Sequence, residues 1–414
     1  MRPKRLFLAK GIFAILTLAL PLPVVAASTY KIIHEFTWAK QPLGNLVRDA
    51  AGNLYGMTFE GAGSGCGGSG CGAVYKLAPN PNGTWAASLL HSFKGPDGDS
   101  PLFGGLVLDA DGNLYGTTLG GGAYGQGLVF RLAPNPNGTW TESVLYSFTG
   151  GADGRLPVGV VLDGAGNLYG TTLFADSTAC SAGCGVVFKL APNADGTWEE
   201  RVLHTFTGTD GRYAYGGLIF DADGNLYGAA RLGGTSTVCG SLGCGVVFKL
   251  APNPDGTWTE SVLYSFAGGA NGIAPTCTLI FDAAGNLYGT TNQGGAYSNG
   301  VVFKLAPNPD GTWAESVLYS FGGGDGSSPS AGVTFDAAGN LYGTTQYGGA
   351  DGYGVVFKLK PTASGWIETV RHSFSGTGKN PTASVIFDSA GNLYGTTSDG
   401  SHPCDYGLVF EITP

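Results

Sequence analysis

"TCTLIFDAAGNLYGTTNQGGAYSNGVVFKLAPNPDGTWAESVLYSF", residues 276–321, holds four strand-like runs separated by turn chemistry. The runs are TLIFD (278–282), NLYGTT (286–291), GVVFKL (300–305) and WAESVLYSF (313–321), here called strands A, B, C and D. None has sustained helical periodicity. The Gly-Asn-Leu-Tyr-Gly phrase inside this stretch occurs seven times, starting at Gly52, Gly112, Gly166, Gly224, Gly285, Gly339 and Gly391. The intervals run from 52 to 61 residues. A small twisted four-stranded sheet cannot bury both of its faces alone. Seven of them packed face to face around a ring bury their apolar side chains and limit exposed edges. The chain is therefore read as all-β, a seven-bladed β-propeller of four-stranded antiparallel blades.

One copy, "FDADGN" at 220–225, spaces Asp221, Asp223 and Asn225 like the first oxygen ligands of a calcium loop. Comparison among the copies argues against that. The leading aspartate is in every unit, as in Asp49, Asp282 and Asp388, but the second acid occurs only as Asp111 and Asp223. Elsewhere it is alanine, and the glutamate that an EF-hand needs at its twelfth position is missing. A tight turn between strands A and B, with glycine in a left-handed conformation, explains all seven copies.

Residues 1–27 read as a secretory signal peptide. Arg2, Lys4, Arg5 and Lys10 precede an apolar run from Gly11 to Leu20, followed by "VVAAS". The run is short for a membrane span and is followed by prolines. The expectation is one propeller domain over residues 28–414, secreted or periplasmic, with no membrane anchor. Residues 1–27 carry four bases and no acids. The remainder has 17 bases against 30 acids, a net charge of −13. That balance speaks against nucleic acid and anionic membrane as partners. Charged residues are 12% of the chain while 73 residues are glycine, a composition suited to short strands and tight turns.

Variation among the copies falls on one side of the ring. A–B turns are uniform ("DAAGN", "DADGN"), and C–D turns nearly so ("APNPDGTW", "KPTASGWI"). B–C loops range from "LGGGAYGQG" to "FEGAGSGCGGSGCG", and D–A loops from "KGPDGDSP" to "TGTDGRYAYG". In an antiparallel blade the two kinds of turn share one face and the two kinds of loop the other. Variable loops on a rigid scaffold are where binding sits.

The phrase "DAAGNLYGTT…GG…GVVFKLAP…DGTWTESVLYSF" resembles the GloVer tandem repeat of extracytoplasmic bacterial β-propeller proteins, over essentially all of residues 29–414. The resemblance implies the propeller and an extracytoplasmic place, and carries no activity with it. The A–B phrase is also similar, more weakly, to NHL-type and lactonase-type propellers. "PDGTW" is similar to the Asp-box of sialidase-type propellers but lacks the spacer between aspartate and glycine.

Residues repeated in every unit serve the unit. His34, His91, His204 and His372 each sit two residues before the strand-D phenylalanine, where other units have Tyr146, Tyr264 or Tyr319. They read as packed amphipathic rings. Trp85, Trp140, Trp198, Trp258, Trp313 and Trp366 open strand D and read as packing. Asp97, Asp153, Asp210, Asp325 and Asn271 precede a glycine in D–A loops and read as turn residues. Lys304 and Glu315, 11 residues apart around a hairpin centred near Pro309, are expected to face each other across strands C and D, as are their counterparts. No nucleophile, zinc-protease or phosphate-loop motif is found.

Two expectations concern covalent structure and closure. "STYKIIHEF" (28–36) aligns with a strand D, and "YGLVFEI" ends the chain as a strand C. Strand 31–36 should pair with strand 407–412 and close the ring. Cys66–Cys71, Cys180–Cys184 and Cys239–Cys244 should form disulfides inside B–C loops, with Cys277 a buried thiol.

Subtracting the repeat leaves the candidate ligand-binding residues Trp38, Arg155, Arg212, Tyr213, Arg231, His402 and Asp405. Arginines and aromatics standing out of an acidic, glycine-rich surface are binding anchors, and the three arginines are expected to converge on one anionic group. The reading is a monomeric, non-catalytic binding or scaffold protein, with no catalytic residue, no metal and no cofactor. Its partner is an acidic glycan, a small anion or a protein. The alternative is a metal-dependent hydrolase or lactonase-like enzyme acting at the central pore.

Overall fold

In the computed structural model, which describes residues 28–102, 104–178, 180, 183–401 and 406–413, seven four-stranded antiparallel sheets follow one another around a ring. Each has the order A-B-C-D. In blade 5 the strands are Ile280–Phe281, Leu287–Thr291, Val301–Pro307 and Trp313–Ser320. Strand A is cut to two residues in six blades. In blade 3 it is longer, Arg155–Leu162.

Ring closure follows the expectation. The strand Thr29–Glu35 lies antiparallel to Leu408–Thr413, with Tyr30 opposite Ile412 and Lys31 opposite Glu411. Blade 7 thus takes strands A to C from the C-terminus and strand D from the N-terminus.

The A–B turn uses its repeated aspartate for itself. Asp282 Oδ1 accepts from the Asn286 backbone N–H at 2.9 Å, and Oδ2 accepts from Asn286 Nδ2 at 2.7 Å and Tyr288 Oη at 3.0 Å. Burial works to raise the Asp282 carboxyl, but these hydrogen bonds outweigh it and hold its pKa below the ordinary value. Both oxygens are engaged by the turn, so the calcium-like spacing is turn grammar. Gly285 supplies the positive φ (79°) that the turn requires. The second glycine of the phrase has a different duty. A Cβ on Gly289 would lie 2.7 Å from Phe303 Cζ and 2.8 Å from Cys277 Sγ. Only a bare Cα lets the strand-C phenylalanine lie across strand B.

Blades are joined by rings. The strand-D phenylalanine of one blade meets the strand-C phenylalanine of the next edge-on, as Phe93 meets Phe130 at 5.1 Å and Phe321 meets Phe357 at 5.0 Å. The strand-D tryptophan packs back on the strand-B tyrosine of the preceding blade, as Trp140 does on Tyr55 and Trp313 on Tyr227. Edge-to-face pairs of this kind contribute about 0.5–1.5 kcal/mol each beyond their buried area. The repeated tryptophans are thus packing residues, as expected.

The expected lysine–glutamate pairs are not formed. The ladder sets Lys304 opposite Ser316 and Leu305 opposite Glu315. The hairpin is centred half a residue further along than the spacing suggested, which slips the register by one, and a slip of one residue moves a side chain to the other face of the sheet. Lys304 instead lies over the Tyr288 ring at 5.8 Å, and Lys358 reaches Asp336 of an A–B turn at 4.0 Å.

Candidate functional site at the mouth of the pore

Strands A begin at the ring axis, and small residues let them crowd together there. A Cβ on Gly44 would lie 3.3 Å from Gly105 Cα, and one on Gly216 would lie 2.1 Å from the Cys277 carbonyl oxygen. The throat is accordingly narrow, about 30 Å³, with Asn45, Thr278 and Ser384 among its lining groups. Asn45 Oδ1 accepts from the Ser384 N–H at 2.8 Å, and Thr278 Oγ1 from the Gly217 N–H at 3.1 Å, so neighbouring blades are tied across the axis.

On the loop face the throat widens to a cavity of about 370 Å³. Its wall carries Arg231, Asn292 and Gln346, which follow strand B in blades 4, 5 and 6. Tyr215 and the hydroxyls of Thr276, Ser330 and Thr382 come from the segments before strand A. The segments are positioned by a repeated device. A non-glycine residue in the left-handed region precedes strand A in six blades, among them Tyr213, Ala274 and Ser328, and in blade 3 it lies inside the longer strand as Leu156. Its carbonyl accepts the backbone N–H of the residue after strand B: Arg231 to Tyr213 at 3.0 Å, Asn292 to Ala274 at 3.0 Å, Gln346 to Ser328 at 3.1 Å. The scaffold therefore fixes the backbone of each mouth residue while its side chain varies freely.

Arg231 is the cationic group of the wall. Its guanidinium lies 5.8 Å above the centre of the Tyr215 ring. No carboxylate comes within 4.0 Å of it among the described residues. Asn292 Nδ2 donates to Ser330 Oγ at 2.9 Å, and Thr276 Oγ1 to the Ser330 carbonyl at 3.2 Å. The lining is thus one cation among amides and hydroxyls, with Leu43 and the Tyr215 ring adding apolar surface and no carboxylate or imidazole among its described residues. Such a surface can hold a hydrophilic anion by a charge-assisted hydrogen bond flanked by neutral ones.

The other predicted residues are spread more widely. Arg155 Nη1 sits 3.4 Å from Asp176 Oδ1 and lies over the Phe174 ring, beside a separate depression that includes Ser177 and Cys180. Arg212 is held on a disulfide, with Nε 3.1 Å from Cys184 Sγ and Nη2 2.7 Å from Cys180 Sγ. Tyr213 packs on Phe174. Trp38 is half-buried, edge-on to Phe36 in the blade 7–blade 1 core. His402 and Asp405 lie outside the described residues. Of the three arginines, Arg231 alone lines the mouth cavity, so they do not share one pocket. Tyr215, Asn292 and Gln346 are not among the candidates read from the sequence. The signal was present in the position after strand B, which changes in almost every copy.

The three expected disulfides are present: Cys66–Cys71, Cys180–Cys184 and Cys239–Cys244. Cys277 is a buried free thiol that accepts the Thr290 N–H at 3.1 Å.

A second constellation recurs at the outer rim. The strand-D histidine or tyrosine bonds to the aspartate of its own D–A loop: His91 Nε2 to Asp97 Oδ2 at 3.1 Å, Tyr146 Oη to Asp153 at 3.0 Å, His204 Nε2 to Asp210 Oδ2 at 2.9 Å, and Tyr319 to Asp325. The loop brings that aspartate against a strand-D glutamate of the next blade. Burial, then the facing aspartate, push Glu142 and Glu200 up to about 7. Where the loop has Asn271 instead, its Nδ2 donates to Glu315 at 2.8 Å.

Seven blades, closed by the two ends of the chain and opening on one face into a cavity, define a seven-bladed β-propeller. More specifically, the sequence profile described as the Gloeobacter/Verrucomicrobia repeat matches residues 41–242 and 232–414, and the chain belongs to that family. No curated protein matches the sequence. Among solved structures, the chain is similar to the extracellular domain of a "putative hybrid two component system" from B. thetaiotaomicron. The identity is 14% and the TM-score 0.52, over 94% of this chain and 41% of that one. It is also similar to a "putative 6-phosphogluconolactonase" from Bacteroides fragilis, at 15% identity and TM-score 0.52, over 83% of this chain and 86% of that one. Likenesses at these identities are of fold.

Proposed function

We propose that the protein is an extracytoplasmic, non-catalytic binding protein that takes a small hydrophilic anion, such as a carboxylate or an acidic sugar, in the mouth cavity. The observation that carries this reading is Arg231, stacked over Tyr215 with no carboxylate partner among the described residues, in a wall of amides and hydroxyls. A guanidinium that lies over an aromatic ring, as that of Arg231 does 5.8 Å from the Tyr215 centroid, can still turn an N–H edge to a carboxylate for bidentate contact. General acid–base hydrolysis would ask for a carboxylate or imidazole in the cavity, and its described lining offers neither. Three disulfides suit an oxidising compartment outside the cytoplasm.

The test is an array of acidic glycans and small carboxylates, with neutral sugars as the comparison, probed with the mature chain. For any acid retained, Arg231→Ala should weaken binding at least tenfold, about 1.4 kcal/mol, and leave Tm unchanged. An equal loss in Arg212→Ala would extend the site outward to the Cys180–Cys184 loop. Affinity that survives Arg231→Ala would end the reading.

A further inference from the structure

Two of the rim junctions contain three groups of metal-ligating type. His91, Asp97 and Glu142 present ligand atoms that all lie within 4.8 Å of one another, and so do His204, Asp210 and Glu260. Each trio spans a blade boundary. The histidine and aspartate come from blade 1 or blade 3 and the glutamate from the outer strand of the blade that follows. In each, the glutamate Oε1 is shut off from solvent without a hydrogen-bond partner. A half-buried carboxylate pair with an orphaned oxygen costs free energy unless something positive sits between the two groups.

The molecule contains its own controls. At the blade 2–3, 4–5 and 5–6 boundaries the strand-D histidine gives way to Tyr146, Tyr264 and Tyr319, and at the 4–5 boundary the loop aspartate also gives way to Asn271. The blade 6–7 boundary keeps the histidine, His372, but stacks it on Tyr30 at 3.8 Å in place of an acidic partner. Imidazole thus meets two carboxylates at two boundaries of the described ring. One nitrogen and two carboxylate oxygens, the histidine and glutamate on strands D and the aspartate on a D–A loop, are a donor set for a borderline divalent ion, with water completing the shell.

The geometry points to two divalent-cation sites of the zinc class, one formed by His91, Asp97 and Glu142 and the other by His204, Asp210 and Glu260, each clamping adjacent blades at the outer rim. Binding at both would couple blade 1 to blade 2 and blade 3 to blade 4. It is independent of the mouth cavity.

The experiment uses the untagged mature chain, stripped with chelator and titrated with Zn²⁺ alone by calorimetry at pH 7.5. Two ions per chain are expected at micromolar or tighter affinity, with a rise in Tm that chelator reverses. His91→Tyr and His204→Tyr install the residue that the fold already uses in blade 2, so the apo Tm should be unchanged. Each should leave one ion bound, and the double variant none. Glu142→Gln with Glu260→Gln gives the same count through a different ligand. Wild-type protein that takes up no Zn²⁺, or a double variant that still takes up two ions, would overturn the assignment.

Discussion

The turn face and the loop face are built by the same strands and use their side chains in opposite ways. On the turn face each blade repeats one solution. Asp, Asn and Tyr lock the A–B turn, and the C–D turn is closed by pairs such as Asn308 Nδ2 to Thr312 Oγ1 at 2.9 Å and Thr312 N to Asp310 Oδ1 at 3.0 Å. On the loop face the blades diverge. Three B–C loops are stapled by disulfides, and the residue after strand B is Phe59, Leu119 or Leu173 in blades 1 to 3 but Arg231, Asn292, Gln346 or Ser398 in blades 4 to 7. The mouth is therefore polar along one arc and apolar at the matching positions of the other. Seven-fold repetition marks what the ring needs to exist. Departure from it marks what one ligand, which meets the ring once, can use.

The largest effect should come from breaking the ring where that comparison does not apply, at the seam. Deleting residues 28–37 removes strand D of blade 7 and the buried Phe36. It leaves Leu408–Thr413 as an open edge. Tm should fall by on the order of 10 °C or more. A melting curve like that of the full mature chain would show that the seam does not hold the ring.

A smaller effect tests repetition itself. Gly289→Ala puts a methyl 2.7 Å from Phe303 and should cost about 1–3 kcal/mol by overpacking, read as a lower midpoint in denaturant. Gly285→Ala meets nothing within 4 Å but must hold a φ of 79°, and should cost about 1 kcal/mol. Neither should alter ligand affinity, because both residues belong to the repeated part. Equal costs for the two would mean that the Phe303 contact relaxes freely.

Sequence periodicity made the blade count, the closing strand, the disulfides and the role of the tryptophans legible, because each is a matter of spacing along the chain or of equivalence between copies. It failed where an answer depends on one residue of register or on a neighbour in space. Lys304 and Glu315 are separated by a single-residue slip of register, which spacing alone does not resolve. Arg212 reads as an exposed anchor until the Cys180–Cys184 bridge is placed beneath it. Asp97 reads as a turn residue, and is one, since its Oδ1 accepts the Lys94 N–H at 2.6 Å. That its other oxygen faces Glu142 of the next blade belongs to tertiary structure and leaves no mark on either unit.

The subtlest expected effect separates the turn face from the outer rim by pH. The A–B aspartates, such as Asp49, Asp221 and Asp388, are partly buried, which opposes ionisation, yet turn hydrogen bonds hold their pKa values below the ordinary range. Their folded pKa is depressed, so they stabilise the fold above the unfolded value and lose that contribution as pH falls through the folded one. The rim glutamates run the other way. Glu200 faces Asp153 and Tyr146 of the preceding blade and has Leu190 opposite it in its own sheet; burial and then Asp153 raise it to about 7. The neutral acid is favoured by folding, so its contribution is complete below the unfolded pKa of about 4.3 and is lost as pH climbs through about 7. Glu200→Gln fixes the neutral state without adding a site for metal. The variant and the parent should melt together at pH 4. By pH 8 the variant should melt about 1–3 °C higher, with the gap opening between those limits. Asp282→Asn, on the turn face, should instead destabilise at pH 7 and converge with the parent in acid. A Glu200→Gln gap that is constant from pH 4 to pH 8 would mean that the glutamate is already ionised in the folded ring, and that the facing carboxylates are compensated by something other than a proton.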